Sequence, residues 1–365
     1  MHSPRVPDSA PPAQRLTSLD ALRGFDMFWI IGGGALHGAI KTLGDGAAKT
    51  LALDQLQHAA WAGFRFYDLI FPMFVFIAGV SLAFSLPRNV AHTGRAATAW
   101  RLVRRALVLF VIGVIYSGGI SKGLDQVRWL GVLQRIALAS LGAGLLSLWL
   151  GARGLIVACA ALLAGYWALL AWVPPPGGTP GDFSEGHNIV NWFDSQFLPG
   201  RKYDRTHDPE GILSTFPAIA NCLLGILAGS FLRDSKAGEA RKAGLLIAGG
   251  AILIAFGLLW SLPFPIIKKL WTSSFVLLAC GWSAILLGVF HLIIETLNFR
   301  RWAAPFVWIG LNPITIYLAA NIADFNRLAD RFTGPTPGVL HALVAIGFAV
   351  LLAWWLNRNR IYIRV

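Results

Sequence analysis

An imidazole and a carboxylate stand ten residues apart at the entrance to a long apolar run. The stretch LQHAAWAGFRFYDLIFP (56–72) carries His58, Trp61, Arg65 and Asp68. A neutral imidazole, with a pKa near 6.5, can take a proton at physiological pH or act as a nucleophile. Either task needs a carboxylate that fixes which ring nitrogen holds the proton. Asp68 is one candidate. Asp54 is another, because it precedes His58 by four residues and would share a helix face with it. The competing reading is an interfacial belt made of His58, Trp61 and Tyr67.

Three further clusters put polar chemistry among apolar residues. In SLDALRGFDM (18–27), Asp20, Arg23 and Asp26 recur every three residues and would share one helix face, with Thr17 or Ser18 as its cap. In GVLQRIALA (131–139), Gln134 and Arg135 interrupt an apolar run. An arginine at membrane depth costs about 2.5–3.5 kcal/mol to insert, so a buried partner or an anionic ligand is expected there. In DPEGILSTFPAIAN (208–221), Asp208, Pro209 and Glu210 read as the cap and first turn of a helix. Ser214, Thr215 and Asn221 add polar groups beyond what capping needs. Two backbone signals accompany these clusters. The glycine run of WIIGGGALHG, centred on Gly33, allows close approach. The Asn312-Pro313 pair predicts a broken helix.

These residues need a scaffold, and composition names it. Of 365 residues 56% are hydrophobic and 13% charged, against about 25% charged in an ordinary soluble domain. Several apolar runs reach the ~20 residues that cross a bilayer. The expected fold is all-α, a polytopic bundle of about ten membrane helices near 22–40, 66–86, 102–120, 130–150, 153–173, 212–232, 243–262, 272–294, 303–321 and 335–357. Lys and Arg fall more heavily on the loops that share a side with both termini, which predicts cytoplasmic termini. A loop over about 174–211 then lies outside, and residues 1–15, rich in proline, form a disordered cytoplasmic tail. Residues 16–365 form a single membrane domain. The net charge of +13 sits at the ends of apolar runs, so nucleic acid is not an expected partner. Cys159, Cys222 and Cys280 lie within apolar runs without metal-ligand spacing, and no metal is expected.

Six blocks resemble one family. RLTSLDALRGFDM, HAAWAGFRFYDLIFPMFVFIAGVSL, GVLQRIAL, DPEGILSTFPAIANCLLGILAG, WTSSFVLLACG and WIGLNPITIY are similar, in order, to signature blocks of the heparan-α-glucosaminide N-acetyltransferase family. Within it the chain resembles the bacterial NagX-like members that lack the large luminal domain. The resemblance implies transfer of acetyl from cytosolic acetyl-CoA to the amine of a glucosamine unit across the membrane. It implies His58 as the catalytic histidine and Asp68 as its acid. It also implies a homodimer in a bacterial inner membrane. Arg23, Arg104, Arg105, Gln134, Arg135, Gly33 and Asn312 are the expected contacts of acetyl-CoA. Asp208, Glu210 and Trp61 are those of the sugar. One departure stands out. Some members carry Asn before the glycine run, where this chain has Ile30-Ile31, and His37 or Asp26 would have to compensate.

Two rival readings remain at this stage. A sugar transporter would use broken helices and midplane polar groups without acetyl-CoA. A membrane O-acyltransferase of an envelope polysaccharide would share the donor and accept a hydroxyl.

Overall fold

The computed structural model describes residues 16–121 and 123–363, all helical or irregular among the described residues apart from two isolated bridges. The expected tail, 1–15, lies outside the described residues. The chain runs through α1 (Thr17–Lys41), the short α2 (Ala47–Gln55), α3 (Phe66–Tyr116), α4 (Val132–Trp149) and α5 (Ala152–Trp172). It continues through the short α6 (Ile189–Phe197), α7 (Thr215–Asp234), α8 (Glu239–Trp260) and α9 (Ser273–His291). Last come α10 (Ala304–Leu311), α11 (Pro313–Ile322), α12 (Phe325–Thr333) and α13 (Val339–Arg358).

Among the described residues seven helices are long and apolar enough to cross a membrane, or up to eight with the bent α10–α11 pair. The protein is a polytopic helical membrane protein. The tenfold expectation differs from this number for identifiable reasons. The expected spans 66–86 and 102–120 are the two arms of the 51-residue α3, which folds back at a kink and is counted once among the seven, so that Tyr67 at its start and Tyr116 at its end both come near Tyr317. Gly94, at φ +80°, interrupts it in a conformation that glycine alone adopts freely. α1 matches the expected first span, but its acidic and basic residues keep it out of the seven. The bend of 74° between α10 and α11 falls at Asn312-Pro313, where proline removes a helix hydrogen bond. The long 174–211 segment contains α6, which sequence periodicity did not reveal.

α3 is the central post and packs on α4 and α7, while α8 pairs with α9 and α1 with α10 and α13. Lipid offers helices no hydrophobic drive to associate, so close backbone contact through small residues takes that role. At the α3–α7 crossing a Cβ on Gly79 would collide with the Cys222 carbonyl, and one on Gly225 with the Phe76 carbonyl. The three cysteines are buried free thiols among these helices, as expected. Gly225→Leu is therefore expected to destabilise the fold by about 1–3 kcal/mol through overpacking, seen as a lower unfolding midpoint in detergent. A substitution of equal size at lipid-facing Gly249, where a Cβ meets nothing within 4 Å, should leave the midpoint in place.

Candidate active site

α2 ends at Gln55 and the chain turns before α3, so His58 lies in a loop and not on a helix face shared with Asp54. Asp54 pairs instead with Arg65, at 2.7 Å. Asp68 takes the role at His58. It is the third residue of α3, where a carboxylate accepts the free N–H of the residue that starts the helix. Its Oδ2 accepts from the Arg65 and Ala59 backbone N–H groups, both at 3.1 Å. Its Oδ1 lies 2.9 Å from His58 Nδ1. The carboxylate is fully buried, whereas the His58 side chain is 53% exposed. Tyr67 lies beside the imidazole with ring centroids 4.9 Å apart.

A third member, Lys268, carries no local signature that would have singled it out. Its Nζ is 3.3 Å from Asp68 Oδ1 and 2.8 Å from His58 Nδ1. The backbone brings it there. The Gly63 N–H donates to the Ile266 carbonyl at 2.9 Å, and Ala62 bridges Ile267 antiparallel, so the loop before α3 is stapled to the loop before α9. The only trace in the sequence is a pair of lysines one residue before WTSS, at the end of an apolar run. Burial draws the Lys268 ammonium below its ordinary pKa, against the attraction of Asp68.

His58, Tyr67, Lys268 and Lys269 border a cavity of about 290 Å³, together with Arg128, Tyr203 and Glu210. Its apolar lining includes Ile30, Phe71, Val132 and Tyr317, which also line an adjoining apolar cavity of about 20 Å³. Ile30 thus fills the place where the family resemblance raised an asparagine. Of its suggested substitutes, His37 meets Gln57 at 3.1 Å, and Asp26 is buried with neither oxygen hydrogen-bonded.

Arg128 is a second residue that the sequence did not single out. It grips Asp208 in a bidentate pair, at 2.8 and 2.7 Å, and reaches Glu210 at 2.6 Å. Burial would raise Asp208, but the Arg128 guanidinium outweighs it and holds this carboxyl below the usual range. Burial wins at Glu210, which lies above its usual range. Asp208 and Glu210 are not the cap of α7 that their spacing predicted. That helix starts at Thr215, six residues or so later than a capping role requires.

The remaining expected contacts divide plainly. Arg135 is buried and spends its guanidinium on the Ser214 carbonyl at 3.1 Å, the Ser214 hydroxyl at 2.6 Å and the Pro209 carbonyl at 3.1 Å. It holds the turn that carries Asp208 and Glu210, and it does not line the cavity. Gln134 is buried beside it in α4, with Nε2 unpartnered. Arg23 is committed to Asp20 and the Gly310 carbonyl, both at 3.1 Å, and to Ser81 at 2.7 Å. Arg105 is half-buried and engaged, while its neighbour Arg104 is exposed. A Cβ on Gly33 would press on the Tyr67 ring, so this glycine makes room for the residue that flanks His58. Asn312 ties the bend to the chain end, donating to the Ile361 carbonyl and accepting from the Ile363 N–H, both at 2.9 Å. Trp61 donates its indole N–H to the Phe183 carbonyl at 2.9 Å and does not line the cavity. Nor does Thr17 or Ser18 cap α1 through its side chain. The Ser18 N–H goes to Glu295 at 2.9 Å.

Asp194, on α6, anchors the same turn from the other side by accepting the Ile212 N–H at 3.0 Å. Burial lifts its pKa to about 6. An acid raised on folding holds its proton more tightly in the native state, so stability is lost as pH rises from about 4 to 6. Asp194→Asn keeps an acceptor and removes the titration. It should abolish a slope worth on the order of 3 kcal/mol or less, measured as the unfolding midpoint against pH.

The family described as "Heparan-alpha-glucosaminide N-acetyltransferase, catalytic" matches residues 15–264. This match covers the first four of the six blocks and stops before the last two. The chain is 26% identical to heparan-α-glucosaminide N-acetyltransferase of Homo sapiens over 378 residues, which is 85% of this chain and 56% of that protein. The Mus musculus protein of the same name is 25% identical over 372 residues, with the same coverage. The chain thus spans about half the length of these relatives. His58, Asp68, Arg128, Asp208 and Glu210 fall inside the matched stretch, and Lys268 falls just beyond it.

Proposed function

The chain belongs to the heparan-α-glucosaminide N-acetyltransferase family, and from that premise we propose an acetyl-CoA-dependent transmembrane N-acetyltransferase that acts on the amine of glucosamine or a glucosamine-containing sugar. The observation that carries this reading is a half-exposed imidazole held by a fully buried carboxylate at the mouth of a cavity with an acidic lining residue.

In this reading His58 donates its Nδ1 proton to Asp68 and turns Nε2 to the cavity. The sugar amine attacks the acetyl carbonyl of the thioester, and Nε2 takes the proton that the nitrogen sheds. The C–S bond breaks, and the proton passes on to the departing thiolate. In a two-step route the same Nε2 would be the atom that carries acetyl. Lys268 sets a positive charge beside the cavity, where the carbonyl oxygen becomes negative during attack. Glu210 faces the cavity and suits the hydrogen-bond donors of the sugar, while Asp208 and Arg128 hold it in place.

Arg104 is the exposed member of the expected coenzyme contacts, and we assign the donor phosphates to the part of α3 that follows the break at Gly94. The bias of Lys and Arg toward the loops on the terminal side supports cytoplasmic termini and a periplasmic mouth at His58, in a bacterial inner membrane.

The test is transfer of labelled acetyl from acetyl-CoA to glucosamine by the purified protein in proteoliposomes. The wild type is expected to form N-acetylglucosamine. His58→Ala should lose at least 10²-fold in rate, the lower end for general-base removal, and keep donor binding. Uptake of sugar without donor binding or transfer would refute the enzyme reading in favour of a transporter. Donor binding with transfer to a hydroxyl instead of the amine would refute the acceptor.

A further inference from the structure

The loop segment that shields the cavity carries a second cluster which the proposed reaction does not use. Glu185 precedes α6, and Asp204 and His207 follow it. One ligand atom from each lies within 4.8 Å of the others. His207 Nε2 is 3.6 Å from Glu185 Oε1 and 3.6 Å from Asp204 Oδ2. These separations are too long for hydrogen bonds. Ligands bound at about 2.0–2.2 Å in a tetrahedron sit roughly 3.3–3.6 Å apart, which is the spacing of the His207 nitrogen from each carboxylate.

Three observations lift this above a group of acids. His207 is 2% exposed, and its Nε2 has no hydrogen-bond partner among the described residues, although it points at two carboxylates. Its other nitrogen, Nδ1, lies 3.2 Å from the Thr206 hydroxyl. A hydroxyl there can accept the Nδ1 proton and leave Nε2 bare, the role an outer partner plays for a metal-bound histidine. Finally, a cation already occupies the gap. The Lys269 ammonium is 2.9 Å from Glu185 and 3.0 Å from Asp204.

We propose that Glu185, Asp204 and His207 form a binding site for a divalent transition ion of the Zn²⁺ class, which replaces the Lys269 ammonium. One histidine and two carboxylates leave a fourth position for water. The ion would join the two ends of the segment that contains α6. It would also release Lys269, which lines the cavity next to Lys268 and lies 5.8 Å from the Trp61 ring. Metal binding would in this way stiffen the loop and add a free positive charge at the mouth.

The test is titration of the untagged full-length protein in nanodiscs with Co²⁺, followed by its visible bands, and by competition with Zn²⁺. One equivalent with a four-coordinate spectrum is expected. His207→Ala should weaken binding at least ~100-fold, beyond what loss of an outer partner does. Lys269→Met removes the competing ammonium and should tighten binding about tenfold. Asp204→Asn, nearly the same size, repeats the loss if His207→Ala fails to fold. No saturable binding, binding unaltered by His207→Ala or Asp204→Asn, or no gain in Lys269→Met would each overturn the proposal.

Discussion

A carboxylate with no access to water governs the site. Asp68 sits at the start of the central helix, and its charge is tolerable there only because every side of it is answered. Two backbone N–H groups, the His58 ring and the Lys268 ammonium surround it. Removing Asp68 would leave the start of α3 with an open N–H, the imidazole with free rotation and Lys268 with a half-buried charge. The turn before α3 and the loop before α9 are joined by backbone pairing at Gly63 and Ile266 and by packing of Trp61 on the cluster of Phe264, Ile267 and Leu270, and both supply donors to this one anion.

That anion also frames the chemistry available to His58. The triangle of His58 Nδ1, Asp68 Oδ1 and Lys268 Nζ, with sides of 2.9, 3.3 and 2.8 Å, admits two proton arrangements. If Nδ1 donates to Asp68, Lys268 pairs with the carboxylate and Nε2 keeps the ring's lone pair, which acts as the base once the Lys268 ammonium, 3.3 Å away, turns wholly to Asp68. If Lys268 donates to Nδ1, the proton sits on Nε2 and the ring cannot act as a base from the cavity side. The first arrangement gives the buried anion two charge-assisted partners, which is why it is the one used here. A second tier of support lies further out. Arg135 fixes the turn after α6, Arg128 fixes Asp208 and Glu210, and the cavity lies between this turn and His58.

What was legible in the sequence had a local signature. Apolar runs of bilayer length marked the helices, and Asn312-Pro313 marked the bend. His58 and Asp68 stood out because ionisable groups are rare beside such runs. The failures share a cause. Helix spacing linked Asp54 to His58, but a loop separates them, and Asp54 turned to Arg65. Arg135 looked like a ligand contact because a buried arginine needs anionic or carbonyl partners, and the partners proved to be the backbone of 209–214, some 75 residues away in the chain. Lys268 and Arg128 went unnoticed because basic residues at span ends are ordinary, and only tertiary contacts set these two apart. Asp208 and Glu210 resembled a helix start, and the large gain from a bidentate arginine displaced that local preference.

The most direct measurement is the ¹⁵N spectrum of histidine-labelled protein in nanodiscs, with His58 assigned by its loss in His58→Gln. Above the pH at which the ring is protonated, His58 should carry its proton on Nδ1, the minor tautomer of free histidine, and this preference should vanish in Asp68→Asn. A neutral His58 protonated on Nε2, or a tautomer unaffected by Asp68→Asn, would contradict the claim that the buried carboxylate prepares the imidazole for its task.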